Sequence, residues 1–480
     1  MRKRLAPLDL MFLFAETRET MMHVATLLVF APPTGAPPDF LRNVMDEIKQ
    51  AALIEAPWNQ KLSSPGFLRW PLQAWIDDPQ VDLDYHVRHA ALPAPGDERE
   101  LGILVSQLHS QPLDFSRPPW EVHLIEGLER GRFALYAKIH HALVDGYTGA
   151  RMLARSLSQD PTEKNASLFF SKRHATAVGK QAMLGPDGEP MPNNARTLLR
   201  RFSQAGRSVA GVTGALLNLI RKPGEEFAHL VSSFQAPDCI LNRRIGRSRR
   251  LATQQYSLAR LKALGKAADG TLNDIVLAIC AGGLRKFLAE LGELPAKPLI
   301  AFLPVNVRPK HDAGGGNAVG AMLASLATDI ADPRARLAAI IASTKQAKAQ
   351  MEDMSQKAII AYSALLMAPT VIQTLRATNL TRAVSITFNV CISNIPGPDY
   401  PLYFRGALLE DSYPVSIPMH GMALNITLYS YNGTLNFGFI GCRDTLPHLQ
   451  HLAVYTGEAL LELEQALVEP KVRGRRRVKQ

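Results

Sequence analysis

Apolar and polar positions along this chain repeat with two periods. Strand-length apolar or alternating runs occur at His23 to Phe30 (HVATLLVF), Glu121 to Leu124, Arg132 to Ile139, Leu299 to Val305, Val384 to Ser393, Gly421 to Tyr429 and Thr434 to Ile440. Gly127 to Gly131 punctuates the second and third runs, and Asn432-Gly433 between the last two is the dipeptide of a tight hairpin. Helical spacing marks Asp39 to Ala52, Glu98 to Ser110, Ser257 to Ala267, Leu272 to Leu291, Pro333 to Met351, Lys357 to Arg376 and Leu446 to Val468. Asn273 reads as an N-cap, with Asp274 favourably placed in a first turn.

The pattern lapses from Ala166 to Asn194, where Gly185-Pro186-Asp187-Gly188-Glu189-Pro190 predicts a linker or long loop. Ala195 to Arg221 is helical again. Its Leu198, Leu199, Phe202, Val209, Val212, Leu216 and Leu219 fall roughly on one side, with arginines elsewhere. Such a basic amphipathic helix either lies on a membrane surface or bridges two domains. The second half restarts near Leu251. Because both halves mix strands and helices, the chain is predicted to be α/β, with two αβ lobes. The boundaries are an N-terminal lobe over 1–185, a linker with the basic helix over 186–245, and a C-terminal lobe over 246–480.

Composition agrees with two lobes. At 480 residues, 46% hydrophobic and 20% charged, the chain is ordinary globular material but too long for one core. A mean hydropathy of −0.04 excludes a polytopic membrane protein. The longest uncharged window, Ala358 to Leu375, contains Pro369 and Gln373 and falls short of the ~20 apolar residues of a span, so a buried or membrane-touching helix is expected. Arg2-Lys3-Arg4 resembles a signal-peptide start. The apolar stretch behind it carries Asp9 and reaches Glu16 with no small-residue cleavage site, so no secretion signal is read. Cys239, Cys280, Cys391 and Cys442 lie far apart without metal-ligand spacing and are expected to be reduced core thiols of a cytoplasmic protein, with no metal site.

The net charge is +11, and the excess is partly local. Lys471 to Lys479 forms a basic arm, Arg243, Arg244, Arg247, Arg249 and Arg250 a second cluster, and Arg196, Arg200, Arg201 and Arg207 a third. These attract phosphorylated cofactors, acidic lipid headgroups or nucleic acid, or are merely solvated. No recognisable nucleic-acid module accompanies them, so no nucleic-acid partner is expected.

The chemistry concentrates in Phe133-Ala134-Leu135-Tyr136-Ala137-Lys138-Ile139-His140-His141-Ala142-Leu143-Val144-Asp145-Gly146. HHxxxDG arises by chance in roughly one chain in a thousand of this size, so it is a signal before any family is considered. On a strand, neighbouring His140 and His141 point to opposite faces, so only one can be the reactive base. A turn brings Asp145 back behind them, to hold the imidazole directly or to clamp the loop to a cation. Gly146 permits a close backbone approach. An alcohol, with a pKa of roughly 16 like water, is a poor nucleophile. An imidazole near 6.5 cannot ionise it in advance. It can take the proton as the oxygen attacks an activated acyl carbon, which contributes about 10² to 10⁴ in rate. Three other readings remain: HxxxD as metal ligands, two structural core histidines, and a serine nucleophile borrowing one of them, for which no GxSxG elbow is found.

At these residues the chain resembles the HHxxxDG superfamily of CoA-dependent acyltransferases, which includes peptide-synthetase condensation domains, chloramphenicol acetyltransferases and plant BAHD enzymes. It is most similar to the bacterial wax ester synthase/diacylglycerol acyltransferase family. Leu5-Ala6-Pro7-Leu8-Asp9 and Met21-Met22-His23-Val24 look like that family's start. Pro112-Leu113-Asp114-Phe115 to Pro118-Pro119-Trp120-Glu121, then Asn273-Asp274, Pro304-Val305-Asn306-Val307-Arg308-Pro309, Gly316-Asn317 and Ser393-Asn394-Ile395-Pro396-Gly397-Pro398 follow in the family's order. Two departures stand out. Asn306 replaces a usual serine, and Lys61 stands where an arginine is expected, leaving Lys61 and Arg308 both as candidate partners of Asp145.

The resemblance implies two chloramphenicol-acetyltransferase-like lobes with an active-site tunnel between them. Acyl-CoA would enter as co-substrate on one side, with no bound cofactor, and a long-chain alcohol or diacylglycerol on the other. His141 would be the base, with His140 and Asp145 architectural. Gly146, Asn273, Asp274, Arg308, Pro119 and Trp120 would shape or support the tunnel. The products would be wax esters or triacylglycerols. The enzyme would be cytoplasmic, touching the inner membrane or lipid inclusions peripherally. The alternatives are a condensation-type or secondary-metabolite acyltransferase acting on an amine or polar hydroxyl, and a non-catalytic lipid-surface protein.

Overall fold

A computed structural model describes residues 2–5, 7–51, 53–68, 72–144, 146–164, 168–172, 236–306, 319–352, 359, 362–363, 366–367, 370 and 386–468. The basic helix expected over Ala195 to Arg221 and the arm Lys471 to Lys479 lie outside these residues, as does most of the helix expected over Lys357 to Arg376.

Two six-stranded sheets organise the chain. The first contains β2 (His23–Ala31), β6 (Val87–Ala91), β7 (Trp120–Glu126) and β8 (Phe133–His140). All eight residues of β8 are buried, because both faces of the sheet are covered. On one face, Leu28, Phe133 and Leu135 pack with Val44, Met45 and Ile48 of α2 (Phe40–Ala51) and Leu153 of α5 (Gly146–Ser156). On the other, Leu27, Val29, Ala134 and Tyr136 pack with Leu101, Val105 and Leu108 of α4 (Glu98–His109). A small sheet joins β1 (Arg2–Arg4), β4 (Gln60–Leu62) and β5 (Ala74–Asp77) beside α1 (Pro7–Ala15).

The second sheet runs in the order β10 (Arg249–Ser257), β17 (Thr434–Cys442), β16 (Leu424–Tyr431), β13 (Val390–Ile395), β11 (Ile300–Asn306) and β12 (Val319–Ser325). Tyr431 pairs with Thr434 across Asn432-Gly433, both at positive φ, as the expected hairpin requires. Helices α6 (Leu258–Ala267), α7 (Leu272–Glu290), α8 (Pro333–Glu352) and α9 (Gln450–Val468) complete this lobe. The four cysteines are buried and free, as expected.

Three details differ from the sequence pattern. The strand expected from Val384 begins at Val390, and the last helix begins at Gln450 rather than Leu446. The N-cap of α7 is Thr271, not Asn273: Thr271 Oγ1 accepts from Asp274 N, and Asp274 Oδ2 accepts from Thr271 N at 2.8 Å. Asn273 therefore lies inside the first turn.

The sheets do not divide with the chain. Strands β14 (Tyr403–Phe404) and β15 (Ala407–Val415), from the second half, join the first sheet, where β15 lies antiparallel to β2. Without β15 that flank of β2 would expose unpaired backbone. Where β15 crosses the second sheet, Gly438 of β17 lets the backbones meet: a Cβ there would stand 1.8 Å from Pro414 O.

Candidate active site

The end of β8 is set by its neighbours. His140 N donates to Pro119 O at 2.9 Å, and Leu143 N returns to His140 O at 2.9 Å, so the ladder stops and a turn begins. Trp120, fully buried at the start of β7, holds the same corner. Its Nε1–H donates to Trp58 O at 2.7 Å, and its ring stacks between His86 (4.4 Å) and Phe170 (4.8 Å).

The two histidines meet different surroundings. His140 is 1% exposed. Ala142 N donates to its Nδ1 at 3.2 Å, and an amide can only donate, so Nδ1 carries no proton and Nε2 does. That Nε2 lies 3.4 Å from Glu16 Oε2, outside hydrogen-bond geometry. Glu16, at the end of α1, also accepts from Met22 N. His141 opens the turn and is only half-buried. Its N donates to Met22 O at 2.9 Å, and its ring stacks on Phe12 of α1 at 4.0 Å. Asp145 and Arg308 lie outside the described residues. Lys61, the other candidate partner of Asp145, stands 3.2 Å from Asp78.

A mainly apolar, partly open cleft flanks this turn. Thr26, Leu28, Ala137 and Ile139 of the first sheet form one wall, and Val144, Gly146, Gly149 and Leu153 a second. The third wall comes from the crossover strand and the second sheet, including Leu409, Pro414, Thr427 and Tyr429. The cleft thus lies between the lobes, as a tunnel for an apolar chain requires. Among the described members of the expected site and tunnel residues, Gly146, the first residue of α5, is in its lining, and His140 and His141 are not. Asn273, Asp274, Pro119 and Trp120 stand behind or away from it.

Asn273 and Asp274 have separate partners. Asn273 Oδ1 accepts from Asn394 Nδ2 at 2.8 Å, which brings the Asn-Asp pair to the Ser393-to-Pro398 segment 121 residues later. Asp274 is 2% exposed, caps α7 through Thr271 and accepts from Thr344 Oγ1 at 2.6 Å.

Sequence reasoning missed the polar layer under the site. Lys138, fully buried, lies 3.1 Å from Glu121 and donates to Leu108 O and Gln111 O. Burial pushes the Glu121 carboxyl up, but His123, Lys138 and Arg88 together hold it down at about 2. His109 Nε2 donates to Ser416 O at 3.0 Å, and Tyr136 O–H supplies its Nδ1 at 2.8 Å. Burial, with Arg249 and Lys138 nearby, holds that imidazole at about 3. Ser416 follows the crossover strand, so His109 ties α4 to it. Ser106 and Ser110 accept from Leu251 N and Arg249 N of the second sheet. A lone lysine inside an apolar strand run was the signal for this layer, and Glu16 ended an apolar run read only for its lack of a cleavage site.

Among the described residues no group of three or more His, Cys, Asp or Glu is placed to hold a metal ion, and no helix is long and apolar enough to cross a membrane.

Comparison with known proteins adds the family. Residues 5–276 match the wax ester synthase/diacylglycerol acyltransferase catalytic domain, and residues 315–464 the C-terminal domain of the same family. A Mycobacterium tuberculosis protein named, provisionally, as a diacylglycerol O-acyltransferase is 55% identical over 97% of each chain. The O-acyltransferase WSD of Acinetobacter baylyi is 38% identical over 97% of this chain and 98% of its own. The solved wax ester synthase/diacylglycerol acyltransferase of Marinobacter aquaeolei is 39% identical, with a TM-score of 0.77 over 97% of this chain and 99% of its own. The first condensation domain of the calcium-dependent antibiotic synthetase, at 15% identity and a TM-score of 0.58 over 98% of this chain and 97% of its own, shares the fold alone.

Proposed function

The chain belongs to the wax ester synthase/diacylglycerol acyltransferase family and is an acyl-CoA-dependent O-acyltransferase, and from that premise we propose that His141 is its general base. The acceptor is the hydroxyl of a long-chain alcohol or a diacylglycerol. The observation that carries this reading is the contrast between the two imidazoles: His140 is sealed with its Nδ1 engaged by Ala142 N, while His141 stands half-buried at the start of the segment whose Val144 and Gly146 line the apolar cleft.

In the proposed step, the neutral His141 ring takes the acceptor's O–H proton as the oxygen attacks the thioester carbon. The tetrahedral intermediate then collapses, the C–S bond breaks, and the imidazolium returns the proton to the departing CoA sulfur. The apolar walls hold the acyl chain and keep out water that would otherwise hydrolyse the thioester. His140 positions the turn through Ala142 N, with Glu16 beside its proton-bearing nitrogen. Phe12 orients the His141 ring by stacking. Asp145 and Arg308 are assigned supporting roles at the loop, and Asn273 and Asp274 fasten α7 to the Ser393–Pro398 segment and to α8. Trp120 and Pro119 set the end of β8. Because both the acyl chain and the acceptor are lipids, the enzyme works in peripheral contact with a membrane or lipid-inclusion surface.

The test is His141→Ala. CoA release from palmitoyl-CoA plus hexadecanol is expected to fall by about 10² to 10⁴, with an unchanged circular-dichroism spectrum. More than a tenth of the parent activity in that folded variant would remove His141 from this role.

A further inference from the structure

We propose that the small sheet with β1, together with α1 and the side chains of Phe67 and Leu72, is the face that seats this enzyme on an anionic lipid surface. The inference rests on the acyltransferase reading and deepens it by naming the surface through which apolar substrates reach His141.

Six large apolar side chains are exposed among the described residues: Met11, Phe67, Leu72, Tyr400, Val454 and Leu461. Three of them flank one small cluster. Met11 lies between Leu10 and Phe12, and Phe67 precedes Leu68, all three neighbours packing on that cluster. Gln73, next to Leu72, donates to Phe67 O at 3.3 Å, which brings Leu72 close to Phe67. Phe67 is 73% exposed, the most exposed of the six.

The charge beside the patch says what covers it. Arg2 and Lys3 are exposed on β1, and the backbone of Arg4 pairs with Ala74, two residues after Leu72. Of the acidic residues beside β1, Asp78 is engaged by Lys61, and Asp77 accepts from Gln60 Nε2. Cations next to protruding apolar side chains match an interface of anionic headgroups over acyl chains.

The patch is also continuous with the catalytic turn. Its cluster includes Ala142 and Leu143, and Phe12, next to Met11, stacks on His141. An acceptor dissolved in the lipid beneath α1 would therefore reach the turn without crossing bulk water.

The test is flotation of the full chain with vesicles of phosphatidylglycerol and, in parallel, of phosphatidylcholine. The parent protein is expected to float with phosphatidylglycerol, less so as salt rises. Phe67→Asp with Leu72→Asp should cut the bound fraction at least tenfold. Arg2→Glu with Lys3→Glu should do so on phosphatidylglycerol while leaving the unfolding midpoint unchanged. Val454→Asp with Leu461→Asp, on the far helix α9, should float like the parent. The proposal is overturned if the first two pairs bind like the parent, if the control pair loses as much, or if sedimentation shows that the patch instead joins two copies of the chain. CoA release by the parent from palmitoyl-CoA plus detergent-dispersed hexadecanol is measured without vesicles. Its absence would count against the acyltransferase reading, while vesicle binding is judged on its own.

Discussion

Replacing Trp120 with phenylalanine separates a structural from a catalytic role for the proline–tryptophan segment. The indole Nε1–H donates to the buried Trp58 carbonyl at 2.7 Å. Phenylalanine leaves that carbonyl without this donor, which costs about 1–3 kcal/mol. The smaller ring also fails to fill the slot between His86 and Phe170. At ~24 cal/mol per Å3 of void, a gap of some tens of Å3 adds about 1 kcal/mol. The total is about 2–4 kcal/mol. With a urea dependence of about 3 kcal/mol/M, the unfolding midpoint drops by about 1 M. Trp120 stands outside the cleft lining, so kcat for CoA release in buffer should change less than about threefold. The assay pairs urea unfolding followed by circular dichroism with steady-state CoA release. A midpoint equal to the parent's, or a kcat more than tenfold lower at unchanged stability, would refute the reasoning.

Two further predictions concern buried contacts that hold the fold together. Burial first, and Arg249 and Arg244 respectively, hold His109 at about 3 and His420 at about 4, whereas an unfolded histidine titrates near 6.5. Between these values the unfolded chain binds protons that the folded one refuses, so stability is full above about pH 6.5 and falls as pH drops towards the folded values. Each pH unit costs about 1.4 kcal/mol per histidine, or about 4 kcal/mol for the pair at pH 5; equal urea midpoints at pH 7 and pH 5 would contradict it. Gly438→Ala sets a Cβ 1.8 Å from the Pro414 carbonyl, backbone against backbone, where no side chain can yield. A loss of about 3 kcal/mol or more is expected, and a variant unfolding at the parent midpoint would show that β15 and β17 approach less closely.

Local pattern carried much of the fold. β2, β8, α2 and α4 emerge within a residue or two of the expected spans, because apolar periodicity and turn chemistry depend only on near neighbours. The same locality explains the misses. The β10 strand, RRLATQQYS, reads as polar until β17 pairs along its length, and ALLEDSYPV becomes β15 only because β2 presents an edge nearly four hundred residues earlier. The α7 cap went to Thr271 rather than Asn273 because Asp274 reaches back to Thr271 while Asn273 faces Asn394.

For the site, the chain's own order of residues was enough to put two histidines at the end of a buried strand, while the helix that Gly146 begins was not read from it. Which histidine stays accessible was decided by folding. Phe12 on α1 and Glu16 just after it, more than a hundred residues upstream, stack on His141 and close over His140, and a strand from the second half completes the first sheet and supplies a wall of the apolar cleft. Contacts of that kind depend on non-local packing, which no local window of sequence contains.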